Sequence, residues 1–221
     1  MVYHDSLREI LGSDVKVSTL AIMDYTFAHE AGIYDPHDDS VWFTSNLLSD
    51  ESGSRKVEIS RVSLKTGAVE VQHIPDIALA NGGCWYKGGL LFCDQGILDR
   101  PSQLVWVNHR DPSETRVVIN NYYGRAFNSL NDVIVLHHPS GPLIFFTDPP
   151  YGYEQGFRPS SEMPPAVHVY DPATGVVRMV ADGFDHPNGI AFSPDGEVCY
   201  VTDTSHIHGS GRLDPSKQSG M

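Results

Sequence analysis

Cysteine is scarce in this chain: Cys84, Cys93 and Cys199 are the only three among 221 residues. An odd count this small builds no disulfide framework, and the spacings are not those of a zinc site. Cys84 and Cys93 fall where a hairpin could set them opposite each other, as a facing pair or as two ordinary strand thiols. Basic residues are also few, 15 Lys and Arg against 28 Asp and Glu, for a net charge of −13. A polyanion would be repelled by that balance, so no nucleic acid is expected as a partner. Long apolar runs are missing. Residues 1–20 carry none suited to a signal peptide or a membrane span, which points to a cytoplasmic protein with no membrane partner. The stretch 1–11 reads at most as a short amphipathic surface helix. No Asn-x-Ser/Thr sequon occurs. Neither do a Gly-x-Ser-x-Gly elbow, a His-Glu-x-x-His pair or a phosphate-cradling glycine loop, which argues against the common serine hydrolases, zinc peptidases and NTPases.

What is present repeats. The run Val41-Trp42-Phe43-Thr44-Ser45-Asn46 returns as Leu90-Leu91-Phe92-Cys93-Asp94-Gln95, as Ile144-Phe145-Phe146-Thr147-Asp148-Pro149 and as Cys199-Tyr200-Val201-Thr202-Asp203-Thr204. The markers Phe43, Phe92, Phe146 and Val201 are spaced by 49, 54 and 55 residues. A polar residue leads each repeat at a matching place: Glu30, Asn81, Asn131 and Asn188. Short apolar, β-branched and aromatic strands at this period predict an all-β chain, a β-propeller with one four-stranded sheet per blade. Turn chemistry agrees. Asp35-Pro36 and Pro194-Asp195-Gly196 set tight turns, and Thr66-Gly67 and Thr174-Gly175 each join two alternating strands.

The blades are expected at about 24–75, 76–122 and 123–183, with a partial fourth at 184–221, about three and a half in all. Residues 1–23 form a separate N-terminal segment, in which 14–23 alternate like a further strand. In many propellers such a strand completes the last blade and closes the ring. An open arc leaves sheet edges unpaired, so self-association through those edges is expected. The loop from Pro149 to Pro165, rich in Pro, Gly and Tyr, reads equally as a functional loop or a surface insertion.

Glu30, Asn81, Asn131 and Asn188 precede the innermost strands, and so should meet at the mouth of the central channel. One carboxylate with amide oxygens is a hard-oxygen set suited to Ca²⁺, Mg²⁺ or Mn²⁺. Taken singly, each asparagine reads as readily as a turn former. Their shared phase favours the ligand reading. The eleven histidines, including His29 beside Glu30, form no pattern of a metal centre.

The strings His29-Glu30-Ala31-Gly32, Ser129-Leu130-Asn131-Asp132-Val133, Phe146-Thr147-Asp148-Pro149-Pro150-Tyr151-Gly152 and His186-Pro187-Asn188-Gly189-Ile190-Ala191-Phe192-Ser193-Pro194-Asp195-Gly196 together resemble the gluconolactonase/regucalcin (senescence marker protein) family, most of all its fungal lactonohydrolases. The resemblance runs from about Tyr25 to near Lys217. It implies a six-bladed propeller that binds one divalent metal, usually Ca²⁺, and hydrolyses small-molecule lactones of sugar acids or related compounds. By motif, Glu30 and Asn188 correspond to metal ligands, and Asn131 to the asparagine that contacts metal, substrate and water. Asn81 corresponds to no shared ligand and is read as channel-lining. Asp148 and Tyr151 are expected beside the substrate. The family's last ligand is an aspartate in a later Pro-Asp-Gly, which also serves as candidate general base; about two blades and that residue have no counterpart here. The expectation is therefore a lactonohydrolase C-terminally shortened relative to the family. The alternative is a catalytically impaired remnant acting as a binding scaffold.

Overall fold

The structure, a computed structural model, describes residues 5–12, 15–49 and 53–216. Three antiparallel four-stranded sheets and one two-stranded sheet follow each other along the chain. The first sheet holds β1 (Glu30–Asp35), β2 (Ser40–Thr44), β5 (Ile59–Ser63) and β6 (Val69–Gln72), in that order. Between its second and third strands a separate hairpin is inserted, β3 (Leu48–Ser49) paired with β4 (Arg55–Lys56). The second sheet holds β7 (Ala80–Tyr86), β8 (Gly89–Asp94), β9 (Gln103–Val107) and β10 (Thr115–Ile119). The third holds β11 (Val133–His138), β12 (Gly141–Asp148), β13 (Ala166–Asp171) and β14 (Val176–Ala181). The fourth pairs β15 (Pro187–Phe192) with β16 (Cys199–Asp203). The innermost strands β1, β7, β11 and β15 lie side by side, so the sheets stack as blades around one axis.

Stacking explains why the central sheet is so apolar. Every residue of β8 and β9 is buried, because both faces of the sheet are covered. Strand alternation divides the two strands between two cores. Leu90, Phe92, Val105 and Val107 pack toward blade 1 with Ile33, Trp42 and Ile59. Leu91, Cys93, Leu104 and Trp106 pack toward blade 3 with Phe127, Leu130, Ile144 and Phe146. Each fully buried side chain of this kind contributes about 1.5–3 kcal/mol, so the blade interfaces hold the arc together.

Two expectations change. Residues 15–23 form no strand, and Val17 is 96% exposed. Alternation predicted a strand over 14–23; residue 14 lies outside the described residues, and 15–23 pair with no described strand but run past the β5–β6 turn, where the Leu20 carbonyl lies against Gly67. Within the 149–165 loop a short helix forms, α2 (Tyr151–Glu154). The three cysteines are free, and Cys84 sits opposite Leu91 rather than Cys93. The N-terminal helix α1 (Asp5–Leu11) leaves Leu7, Ile10 and Leu11 exposed. No helix among the described residues is long and apolar enough to cross a membrane.

Candidate active site

In every blade the innermost strand starts, and the second strand ends, at the same end of the sheets. Residues at those two places converge there on a cavity of about 760 Å³. Glu30, Asn81, Asn131 and Asn188, one from each blade, all line it. So does a second set the sequence reading missed: Asn46, Gln95 and Thr204. Each of these lies three residues after the repeat marker of its blade, so the signal was the repeat phase itself.

The backbone is bent where the inner strands carry the site residues. Register shifts fall between Ala31 and Ile33, between Ala80 and Gly83, and between Pro187 and Ile190. A bulge re-aims the side chain beside it, which turns Glu30, Asn81 and Asn188 toward the cavity instead of along the pleat. Ala31 takes φ 70°, a left-handed conformation that costs a residue with a Cβ about 1–2 kcal/mol. At Gly82 the backbones nearly touch: its N–H donates to the Asn131 carbonyl at 2.7 Å, and a Cβ there would lie 2.6 Å from that oxygen. Threonines fix the neighbouring blade. Thr44 Oγ1 donates to the Asn81 carbonyl at 2.9 Å and Thr147 Oγ1 to the Asn188 carbonyl at 2.7 Å. Below the cavity, the buried Arg158 donates to the carbonyls of Ile97, Arg100, Phe127 and Asn128, tying the loop after β8 to the chain entering blade 3.

Asp148, expected beside the substrate, is instead enclosed in the fold. It is fully buried and does not line the cavity; its carboxylate accepts the backbone N–H groups of Asn128 and Ser129 at 3.0 and 2.9 Å. Its repeat partners do the same. Asp94 accepts from Ala78, Leu79 and Gly96, and Asp203 from Asp185, His186 and Ser205. The repeated aspartate is thus a clamp on the loop entering the inner strands of blades 2, 3 and 4; blade 1 carries Ser45 at the matching place. Tyr151 does line the cavity; its hydroxyl contacts Thr204 Oγ1 and receives a hydrogen bond from Asn188 Nδ2 at 3.3 Å. Next to it Glu154 accepts from His186 Nε2 at 2.8 Å and from the Gly209 N–H at 2.6 Å, which holds the 204–211 wall against α2. Asp195 sits in the exposed turn at the other end of β15, bonded to Ser193 and the Glu197 N–H.

Charge in the cavity is unbalanced. Burial, and secondarily the Asp132 carboxylate, push Glu30 up to about 6. The neighbouring His29 ring, 3.7 Å away, is shifted down by burial and so gives little positive compensation. Burial is also the main cause that raises Tyr151. Two amide oxygens, Asn81 Oδ1 and Asn131 Oδ1, are buried without a hydrogen-bond partner, a costly state for a polar atom unless something else contacts it. No three His, Cys, Asp or Glu side chains cluster as a metal site among the described residues. Two carboxylates line the cavity, and Glu154 is already engaged by His186 and the Gly209 N–H, so the donors left are the Glu30 carboxylate and amide oxygens. That set fits a hard cation such as Ca²⁺ and suits zinc poorly.

The SMP-30/gluconolactonase/LRE-like region matches residues 30–208. The chain belongs to this family. Lactonohydrolase oryL of Aspergillus oryzae is 30% identical over 220 residues, covering 95% of this chain and 47% of that protein. Gluconolactonase of Zymomonas mobilis is 33% identical over 101 residues, covering 40% of this chain and 24% of that one. A solved gluconolactonase from Xanthomonas campestris is 26% identical with a TM-score of 0.63, covering 81% of this chain and 56% of the other. The chain spans about half the length of the curated lactonohydrolases it matches. The architecture is that of the family's propellers, with three four-stranded blades and a two-stranded fourth.

Proposed function

We propose that the cavity hydrolyses a lactone of a sugar acid or related small molecule, with one divalent metal, Ca²⁺ by preference, held by Glu30 and Asn188. The observation that carries this reading is the buried, unpartnered Asn131 Oδ1 in the same cavity as the raised carboxylate of Glu30. When bound, the cation supplies Lewis-acid polarisation of the lactone carbonyl. The chain's own residues position the reactants. Asn131 Oδ1 accepts a hydrogen bond from the attacking water and so orients its lone pair. The Tyr151 hydroxyl, held between Thr204 and Asn188, borders the substrate and is available to it as a donor. Names of the relatives support the reaction class; the buried amide oxygens support the place.

The test is pH-stat titration of D-glucono-1,5-lactone with the purified chain, in Ca²⁺ and then in EDTA, beside Asn131→Ala. Turnover that EDTA abolishes and Asn131→Ala lowers by two orders of magnitude or so is the expected result, that being the usual size of a lost positioning or oxyanion-type contact, about 10²–10³. A folded chain that never exceeds spontaneous hydrolysis would favour the binding-scaffold reading.

A further inference from the structure

We propose that Arg55 makes this cavity select lactones bearing a carboxylate, the acid group lying toward the β3–β4 hairpin and the lactone ring toward Glu30 and Asn131. The proposal rests on the hydrolytic reading above and narrows its substrate class.

Arg55 is the one Lys or Arg among the residues lining the cavity; the other charged groups there are Glu30, Glu154 and two histidines. Among the described residues it pairs with no carboxylate. Its neighbours do pair: Lys56 with Glu58 at 2.7 Å, and Arg61 with Asp38. Among the described residues Arg55 makes one hydrogen bond, from Nη1 to Ser49 Oγ at 3.4 Å, the long limit of such a bond. Among the described residues nothing else occupies the guanidinium fork. Nor does a cavity carboxylate claim it. Glu154 is already held by His186 and the Gly209 N–H, and the nearest basic group to Glu30 is His29.

Placement strengthens the case. Only blade 1 inserts a hairpin between its second and third strands; blade 2 uses a short loop and blade 3 a loop carrying α2. The hairpin joins no blade sheet. Arg55 stands opposite Ser49 in it, a pairing that needs no guanidinium. In a chain of net charge −13 the general field repels anions. A cationic fork with no acidic partner among the described residues, at the cavity wall, is the local exception, and its geometry matches a carboxylate bidentately. Hydrolysis of such a substrate adds water across the ring ester C–O bond, so the product is a hydroxy diacid.

The experiment compares D-glucono-1,5-lactone, which is neutral, with D-glucaro-1,4-lactone, which carries a carboxylate, on wild type, Arg55→Gln and Arg55→Lys. Arg55→Gln is expected to raise KM for the anionic lactone on the order of tenfold, the scale of a partly exposed charge-assisted bond. Its kcat, and both constants for the neutral lactone, should stay unchanged, with Arg55→Lys in between. Equal effects on the two lactones, or none, would overturn the proposal. Calorimetric binding of D-glucarate in EDTA keeps the two readings separate. If neither lactone turns over, the hydrolytic reading fails; tenfold weaker glucarate binding by Arg55→Gln would still support an anion-selecting cavity, and equal binding would overturn that as well.

Discussion

Glu30 is where the electrostatics of the cavity concentrate. Its carboxylate is pushed up to about 6 because burial strips its hydration and Asp132 adds a like charge. A group in that state destabilises the fold when ionised, since its folded pKa lies above its ordinary value. It also attracts a cation, which would relieve both causes at once. Replacing it with glutamine keeps the shape and removes the charge. Two results are expected from Glu30→Gln. Calorimetry should show Ca²⁺ affinity falling at least tenfold, because charge count governs such sites. In EDTA the variant should melt no lower than wild type, because the buried charge is gone. Unchanged Ca²⁺ affinity would move the cation site elsewhere.

At the scale of elements, the repeated aspartates show how a loop is fixed at the entrance of the inner strands of blades 2, 3 and 4. Asp94 is fully buried and gathers three backbone N–H groups on one oxygen, with Gln103 Nε2 on the other at 3.1 Å. Asp94→Ala would strand those donors, at a cost on the order of 3 kcal/mol, read as a shift in urea midpoint. A midpoint unchanged from wild type would mean the clamp is redundant. Strand β13 offers a pH-dependent counterpart. His168 is fully buried, stacked on Phe146 at 5.4 Å between ring centroids, with neither ring nitrogen hydrogen-bonded, and burial lowers it to about 4. A folded pKa below the ordinary 6.5 means its contribution is complete above pH 6.5 and lost as pH falls toward 4. His168→Leu should flatten that decline relative to wild type, by about 3 kcal/mol across the window. Parallel acid slopes in the two proteins would contradict it.

The same elements show what could be read beforehand. Strand positions and the blade period were legible because alternation and turn residues are local signals, and the phase of Glu30, Asn81, Asn131 and Asn188 carried their convergence. Asp148 was misplaced because a carboxylate in a motif string does not reveal whether its partners are backbone amides twenty residues back. Residues 15–23 were misread because alternation encodes a strand's faces and says nothing about who supplies its edge. Arg158 and Arg55 gave no local sign at all. One is defined by carbonyls of two distant loops, the other by a guanidinium that meets no carboxylate among the described residues.

The whole molecule is a set of stacked sheets whose outermost members meet water. Among the described residues β16 pairs only with β15, and Val198 and Tyr200 are 47% and 54% exposed. Such an edge templates pairing with another chain. Sedimentation velocity should show concentration-dependent association, weakened by the double change Val198→Lys with Tyr200→Lys; a monomer at every concentration in both proteins would exclude that edge as the contact. The cavity acts in the opposite sense, binding the blades to one another. It is where residues from all four blades meet, Glu30, Asn81, Asn131 and Asn188 among them, so a cation held there would be linked to the integrity of the whole arc and not to one blade. Ligand that binds only the folded state stabilises by RT ln(1 + [L]/Kd), about 2.7 kcal/mol at a hundredfold excess over Kd. For a chain of this size each kcal/mol moves Tm by about 2–4 °C, so saturating Ca²⁺ should raise it by on the order of 5–10 °C. Glu30→Gln should cut the rise to about half or less, whereas Asp94→Ala, whose side chain does not line the cavity, should start lower and keep it. A full rise that survives in Glu30→Gln would show that Ca²⁺ stabilises the chain from another place, and no rise in wild type would remove the cation from the proposed chemistry.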